Sequence, residues 1–552
     1  MLPRRVQPTR ICHGREAALA NLEAMPRAGG VVATSAAPAS RLGARLLAAG
    51  GNAVDAAVGA ALALTVADPA NVSLLGRCHA LVVGPGGGAL AVDGATEAPR
   101  EVGPVGSVPM SGHAAAPLPG IIPALHTLWR LRGRLAWRDI VRPVAELAAD
   151  GFEVAANQAR TWNDSVAKLA RDPVAARLYL KPDGSPYGAG ERFRNTVQAE
   201  FLNALADDGP DRLFGPVADG LAAESRAGGG FLTADEIRQY RALPGETVRL
   251  PYAGCELVTV GRQAWGYTLA LMLGILDAWK RTAGWSGPIP DAVMALAVHR
   301  ALAEQPQEIG TLKPRPGGRS YASMLEPALH EAAAAQIVGL LAGPPEALSA
   351  HVGAPAPSPL PGEKRGDTTH LSTMDGDGLA VALTASIGPS FGAAVASAST
   401  GSLFAHSYRM ASDPTPGARD RTEMSPAILL RDGRPVLAAG GADNERIPGG
   451  TAQVICNVVD GGMDLRQAVA APRVNWGAGL LRTSAWMPAE RRARLMEAGF
   501  ALAPAEGVTA RTGVVQAVGV DPADGRFAGA ADPSYDGAAV VEEPQDARPP
   551  RA

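Results

Sequence analysis

Residues 366–387 read GDTTHLSTMDGDGLAVALTASI, and the fold turns on this stretch. From His370 onward the residues alternate in character on either side of Asp375-Gly376-Asp377-Gly378, which predicts a β-hairpin. The preceding PAPSPLPGEKRGD (355–367) is rich in proline and predicts an exposed linker. Thr368-Thr369 therefore stands where an irregular segment becomes a strand. By residue type alone, such a pair is more often structural than catalytic.

Downstream, MSPAILLRDGRPVLAAGG (424–441) repeats the format around Asp432-Gly433, and TGVVQAVGVDPADGRFAGAADP (512–533) repeats it again. Helical patterns at 449–459 and 465–471 lie between these two hairpins. Upstream, 41–67 predicts two helices broken at Gly50-Gly51, with Asn52 capping the second and Asp55 in its first turn. HALVVGPGGGALAVDG (79–94) predicts two strands about a glycine turn, and 119–150 two helices closed by glycine. The stretch 190–300 reads as mainly helical with one strand, CELVTV (255–260), and 305–366 as the least regular region. Hairpins flanked by helices predict a layered α+β fold. Periodicity names no reaction.

Composition narrows the function classes. The 552 residues are 47% hydrophobic, enough for a large core, but only 5% aromatic, so small residues must fill much of it. Lys plus Arg (51) nearly balances Asp plus Glu (54), which gives no electrostatic reason to expect nucleic acid or an anionic membrane as partner. Cys12, Cys78, Cys255 and Cys456 are far apart and form no CxxC, so neither a zinc cluster nor a disulfide framework is indicated. The histidines contain no HExxH, and GPGGGA lacks the Lys-Ser/Thr ending of a phosphate loop. No metal and no organic cofactor are inferred. The longest apolar run, 56–67, is too short to span a bilayer. The basic amino end runs into no apolar stretch with a cleavage site, which predicts a cytoplasmic location, with the periplasm as the alternative.

Several segments, in order, resemble the gamma-glutamyltranspeptidase family. They are GNAVDAAVGAALALTVADP (51–69), PLPGIIPALHTLWRLRG (117–133), VRPVAELAADGF (141–152) and LFGPVADGLAAESRAGGGFLTADEIRQYRA (213–242). The series continues with DTTHLSTMDGDGLAVALTASIGPSFG (367–392), MSPAILLRDG (424–433) and GAADPSYDGAA (529–539). The resemblance implies a four-layer αββα sandwich of the N-terminal-nucleophile hydrolase type. It implies a precursor that cleaves itself between Asp367 and Thr368 into a large region, 1–367, and a small region, 368–552, held as one intertwined unit. Thr368 would be the nucleophile, with Thr384 and Ser386 as assisting hydroxyls two apart on one strand face. The chemistry has a physical reason. A hydroxyl is a poor nucleophile at neutral pH, and a free terminal amine on the same residue supplies a base at fixed geometry. β-Branching limits the rotamers of the threonine oxygen.

The sequence departs from the family where a gamma-glutamyl group would be read. Ala95 stands where the family has its clamping arginine, Gly388 where it has an asparagine, and Met410 near its aspartate. Thr422-Glu423 replaces a pair of serines, and an anionic Glu423 beside a bound carboxylate would repel it. The family's two oxyanion-hole glycines fall at Asp443-Asn444, with Gly440-Gly441 as the alternative address for the hole. Arg77 offers a positive charge from another direction, or is an ordinary salt-bridged residue. Trp265 and Tyr267 offer a flat apolar wall, or core packing. The expected function is an autoprocessing threonine amidohydrolase acting on a small amide that is not a standard gamma-glutamyl compound, its acyl group neutral or carrying an amine. Two rivals stay open: a gamma-glutamyl hydrolase or transferase whose clamp is rebuilt from Arg77, Arg446 or neighbouring groups, and a catalytically silent homologue with a binding or structural role.

Overall fold

The computed structural model describes residues 29–103, 108–304, 320–353, 368–407, 410, 415–477, 479–506, 511–521 and 524–543. In chain order its strands are β1 (Gly30–Thr34), β2 (Arg77–Val83), β3 (Ala89–Gly94), β4 (Phe152–Glu153), β5 (Arg192–Phe193), β6 (Leu243–Gly245), β7 (Thr247–Tyr252) and β8 (Cys255–Val260). They continue as β9 (Thr368–Asp375), β10 (Ala380–Ser386), β11 (Ala427–Arg431), β12 (Arg434–Ala442), β13 (Val474–Gly477), β14 (Leu480–Thr483), β15 (Val514–Val520), β16 (Phe527–Ala531) and β17 (Ala538–Glu542). The three hairpins read from the sequence are all present as β9–β10, β11–β12 and β15–β16, each antiparallel.

These hairpins build two sheets. The first runs β17-β1-β9-β10-β2-β3-β6 and the second β16-β15-β12-β11-β8-β7. Segments from before and after residue 367 contribute strands to both. Strand alternation sends each sheet's side chains into two different cores. Met374, Ala380, Ala382 and Val31 meet Val258, Ile428, Ala438 and Val518 in a core between the sheets. Leu371, Val381, Leu383 and Val32 point the other way, onto helices α1 (Ala37–Ala48), α2 (Ala53–Ala67), α3 (Trp137–Asp150) and α4 (Thr196–Asp208). On the far side Leu257, Leu429, Leu437 and Val515 pack on α5 (Gly266–Ala283), α6 (Asp291–Ala303), α7 (Pro327–Ala342) and α8 (Ile447–Val459). Helices, sheet, sheet, helices: the four-layer αββα sandwich is present.

The α2 helix shows why small residues dominate. Every position of AVDAAVGAALALTVA is buried, the pattern of a helix enclosed on all sides. Asn52 accepts from the Val54 and Asp55 amides at 3.0 Å, and Asp55 accepts from the Asn52 amide at 2.9 Å, closing a capping box. A Cβ at Gly59 would sit 2.2 Å from Leu46 Cδ1, so the glycine sets how closely α1 and α2 approach.

Two sequence expectations are corrected. CELVTV is not a lone strand, because TVRLPY (Thr247–Tyr252) pairs with it, its exposed Arg249 and Pro251 alternating with buried Val248, Leu250 and Tyr252. The region read as least regular contains α7 and a further helix at Pro345–Val352, where alanine and leucine outweigh the prolines, which sit at the first turn and are tolerated there. Among the described residues, no helix is long and apolar enough to cross a membrane.

Candidate active site

Thr368 is the first residue of β9, a strand near the middle of the seven-stranded sheet. Alternation places its side chain, with those of His370, Ser372 and Met374, on the face toward the second sheet. Thr384 and Ser386 share that face on β10, and the register sets Ser386 opposite Thr368 and Thr384 opposite His370. The two hydroxyls expected to assist thus share one strand face, with different hydrogen-bond partners. Thr384 Oγ1 meets His370 Nδ1 at 2.8 Å, whereas Ser386 Oγ accepts from the Gly388 amide at 3.0 Å.

His370 was not singled out from the sequence, although its spacing of two from Thr368 was the available signal. Its second ring nitrogen meets Ser372 Oγ at 2.9 Å, so both nitrogens are held by hydroxyls of the same sheet. Complete burial drives its pKa down to about 3, and the ring is neutral. Gly440 on β12 lies directly against this ring: a Cβ there would sit 2.3 Å from His370 Cε1. Gly440 is thus a spacer between the sheets, and Gly441 lies beside it within the same strand, paired with Val515 of β15.

The Thr368 side chain, 9% exposed, lines a small pocket with Ser35, Asn71, Asp443, Arg511 and Tyr535. The cavity volume is about 10 Å³, room for about one water. Behind its wall lies a buried polar cluster. Ser35 Oγ is hydrogen-bonded to Thr369 Oγ1 and donates to Asp68 Oδ2 at 3.0 Å. Asn71 Nδ2 donates to Asp68 Oδ1 at 2.9 Å and to the Tyr535 hydroxyl at 2.5 Å. Burial raises the Asp68 carboxyl to about 7, against the lowering effect of its Asn71 and Ser35 hydrogen bonds. Burial also holds the Tyr535 hydroxyl well above its usual range, in its protonated form. Ser35, Asn71, Arg511 and Tyr535 were missed in the sequence reading; Tyr535 alone lay inside a quoted motif.

The Asp443-Asn444 turn borders the same pocket through Asp443. Both residues have left-handed backbones, φ 101° and 53°, an uncommon state for any residue with a Cβ. Asp443 is pinned by Arg446, whose Nε and Nη2 donate to its two carboxylate oxygens at 2.6 and 2.8 Å.

The remaining candidates do not line this pocket. Arg77 is buried, and its Nη1 donates to Asp420 at 3.2 Å and to the His406 carbonyl at 3.1 Å; Thr96 donates to the same carboxylate oxygen at 2.7 Å. Ala264 bridges Thr422, and the Trp265 amide donates to the Met424 carbonyl at 3.0 Å, so the 261–267 loop is tied to the segment before β11. Tyr267 belongs to the helix-side core and donates to Glu246 at 3.0 Å. Trp265 is partly buried against that core. Thr422 is buried and Glu423 partly so, and neither borders the Thr368 pocket. Asp367 lies outside the described residues.

Comparison with known proteins bears on family and fold. The gamma-glutamyltranspeptidase family model fits residues 39–542. An acylase ACY 1 proenzyme of Pseudomonas sp. (strain V22) is 30% identical over 538 residues, covering 93% of each chain. The glutathione hydrolase proenzyme of Escherichia coli (strain K12) is 26% identical over 546 residues, covering 91% of this chain and 90% of that one. Among solved structures, a cephalosporin acylase from Bacillus halodurans superposes with a TM-score of 0.79 at 24% identity, over 93% of this chain and 96% of that one, a likeness of fold. The chain belongs to the gamma-glutamyltranspeptidase family, with the αββα sandwich of the N-terminal-nucleophile hydrolases.

Proposed function

We propose that the chain cuts itself between Asp367 and Thr368 and then works as a threonine amidohydrolase on a small amide other than a standard gamma-glutamyl compound. The observation that carries this reading is the position of Thr368, at the head of a central strand with its side chain in a pocket beside the left-handed Asp443-Asn444 turn. In maturation the Thr368 hydroxyl attacks the Asp367 carbonyl carbon. The C–N bond breaks, the nitrogen takes up the proton, and an ester joins Asp367 to Thr368 Oγ1. Water hydrolyses that ester, leaving an Asp367 carboxyl and a free Thr368 amine.

In turnover the amine accepts the hydroxyl proton as Oγ1 attacks the substrate amide. The acyl group moves to Oγ1, the departing amine takes the proton, and water then releases the acid. Backbone N–H groups of the 443–444 turn serve the oxyanion in this scheme. Neutral His370, held between Thr384 and Ser372, keeps the strand head in place. Fragments 1–367 and 368–552 stay together because each contributes strands to both sheets.

The substrate part rests on charge. The two arginines named for a rebuilt gamma-glutamyl clamp are already engaged, Arg77 by Asp420 and Arg446 by Asp443. The Pseudomonas relatives are named acylases, which fits an acyl group of another kind. Intact-mass measurement of purified protein tests the first part. Two fragments meeting at 367/368 are expected from wild type, and a single 56.5 kDa chain from Thr368→Ala. An uncut wild-type chain after prolonged incubation refutes the nucleophile assignment. Turnover of a gamma-glutamyl anilide faster than that of simple acyl anilides refutes the substrate assignment.

A further inference from the structure

We infer that Arg511 reads a carboxylate on the substrate, next to the amide that Thr368 attacks. The inference rests on Thr368 as the nucleophile and adds the chemical class of what it acts on. Three arginines stand in or near the site, and their charges are not equivalent. Arg77 is spent on Asp420, with Thr96 completing the set. Arg446 is spent on Asp443 through a two-pronged contact, and also meets Glu445 at 2.8 Å. Arg511, half-buried, lines the Thr368 pocket and forms no ion pair among the described residues.

The carboxylates around the pocket make their close contacts with other groups. Asp443, in the same pocket, is held by Arg446 on both oxygens. Asp68 sits behind the wall, its oxygens taken by Ser35 and Asn71. Asp536 is engaged by the Asn157 and Gln158 amides at 3.0 and 3.1 Å. Tyr535, also lining the pocket, is a protonated hydroxyl. Arg511 is therefore the one cation of the described lining, and no carboxylate among the described residues is ion-paired with it. A guanidinium there is matched by a planar carboxylate, to which it donates in parallel. Glu423, which the sequence reading set against a carboxylate, does not border this pocket.

Two measurements test this, one without turnover. Malonate and succinate are titrated calorimetrically into wild type and Arg511→Gln. Binding to wild type that weakens at least tenfold in the variant, and returns in part with Arg511→Lys, supports the inference. No binding to wild type, or equal binding to Arg511→Gln, overturns it. The second uses matched pairs. The monoanilides of malonic and succinic acid are compared with their neutral primary-amide counterparts, and acetylated 4-aminobenzoate with acetylated 4-aminobenzamide. The first pairs place the charge on the acyl side and the last on the leaving side. A charged member favoured at least tenfold in kcat/KM, mostly through KM, with the ratio falling to about one in Arg511→Gln, supports the inference and identifies the side. Cleavage without charge preference overturns it while leaving Thr368 untouched. An uncut chain refutes the nucleophile assignment instead, and the titration still decides Arg511.

Discussion

Replacing Gly440 with alanine drives a methyl group into the His370 imidazole. The new Cβ would sit 2.3 Å from Cε1 and 2.6 Å from Nδ1, where ordinary contact begins at 3.4 Å, so the ring must retreat by about 1 Å. It has nowhere to go freely. Thr384 and Ser372 hold its two nitrogens at 2.8 and 2.9 Å, and both belong to the sheet the ring is pushed toward. Overpacking of this kind costs about 1–3 kcal/mol. Loss of one imidazole hydrogen bond adds about 1 kcal/mol, for a total of about 2–4 kcal/mol. Because Thr368 lies two residues along the same strand, self-cleavage should slow by about tenfold or more, since a shift of about 1 Å in a reacting group costs up to about 10²-fold. Stability is read from denaturant midpoints in a Thr368→Ala background, where every variant is one chain. His370→Ala removes the obstacle, so the double variant Gly440→Ala/His370→Ala should be about 2 kcal/mol more stable than the two single losses predict. Additivity within about 0.5 kcal/mol, or wild-type cleavage by Gly440→Ala, would show that the ring and the glycine are not in energetic contact.

Two further expectations follow from buried charge. The folded pKa of His370 is depressed from 6.5 to about 3, so its contribution to stability is present above 6.5 and is lost as pH falls toward 3. Asp68 is raised from 3.8 to about 7, so its contribution is present below 3.8 and is lost as pH rises toward 7. The two slopes oppose each other across roughly the same window, and each substitution should unmask the other. Asp68→Asn should tilt stability upward with pH between about 4 and 7, and His370→Gln should tilt it downward, each by about one proton; midpoints that run parallel to wild type would reject the assignments. Separately, Arg473 and Asp532 form an ion pair with both side chains fully buried, Arg473 also donating to the Gly513 carbonyl at 3.0 Å. Arg473→Met strands the carboxylate and should cost about 3–5 kcal/mol. An unchanged denaturant midpoint would contradict that.

The elements that local pattern specifies were legible. The hairpin at 368–386, the Asn52 cap and the glycine turn between β2 and β3 are where the alternation and turn residues placed them. TVRLPY (Thr247–Tyr252) escaped because proline and arginine mask its alternation until its partner strand is known. Helix α7 escaped because flanking proline and glycine drew the eye from an alanine-rich interior. His370 was readable in principle, since a spacing of two from Thr368 places it on the same face. Ser35 and Asn71 carried no signal, being small polar residues at strand and helix ends far from Thr368 in sequence.

By itself, then, the sequence determined the strand that carries Thr368, the face that its side chain takes and the family to which the chain belongs. Alternation and capping act over a few residues, and motifs in a fixed order survive without any knowledge of contacts. Only the tertiary structure decided which charges remain available. Arg77 meets Asp420 across 343 positions of chain, and Ser35 meets Thr369 across 334. Coulombic and hydrogen-bond energies depend on separation in space and on burial, neither of which spacing along the chain reveals. That is why Arg77, prominent in the sequence, is already paired, while Arg511, which drew no notice there, lines the Thr368 pocket.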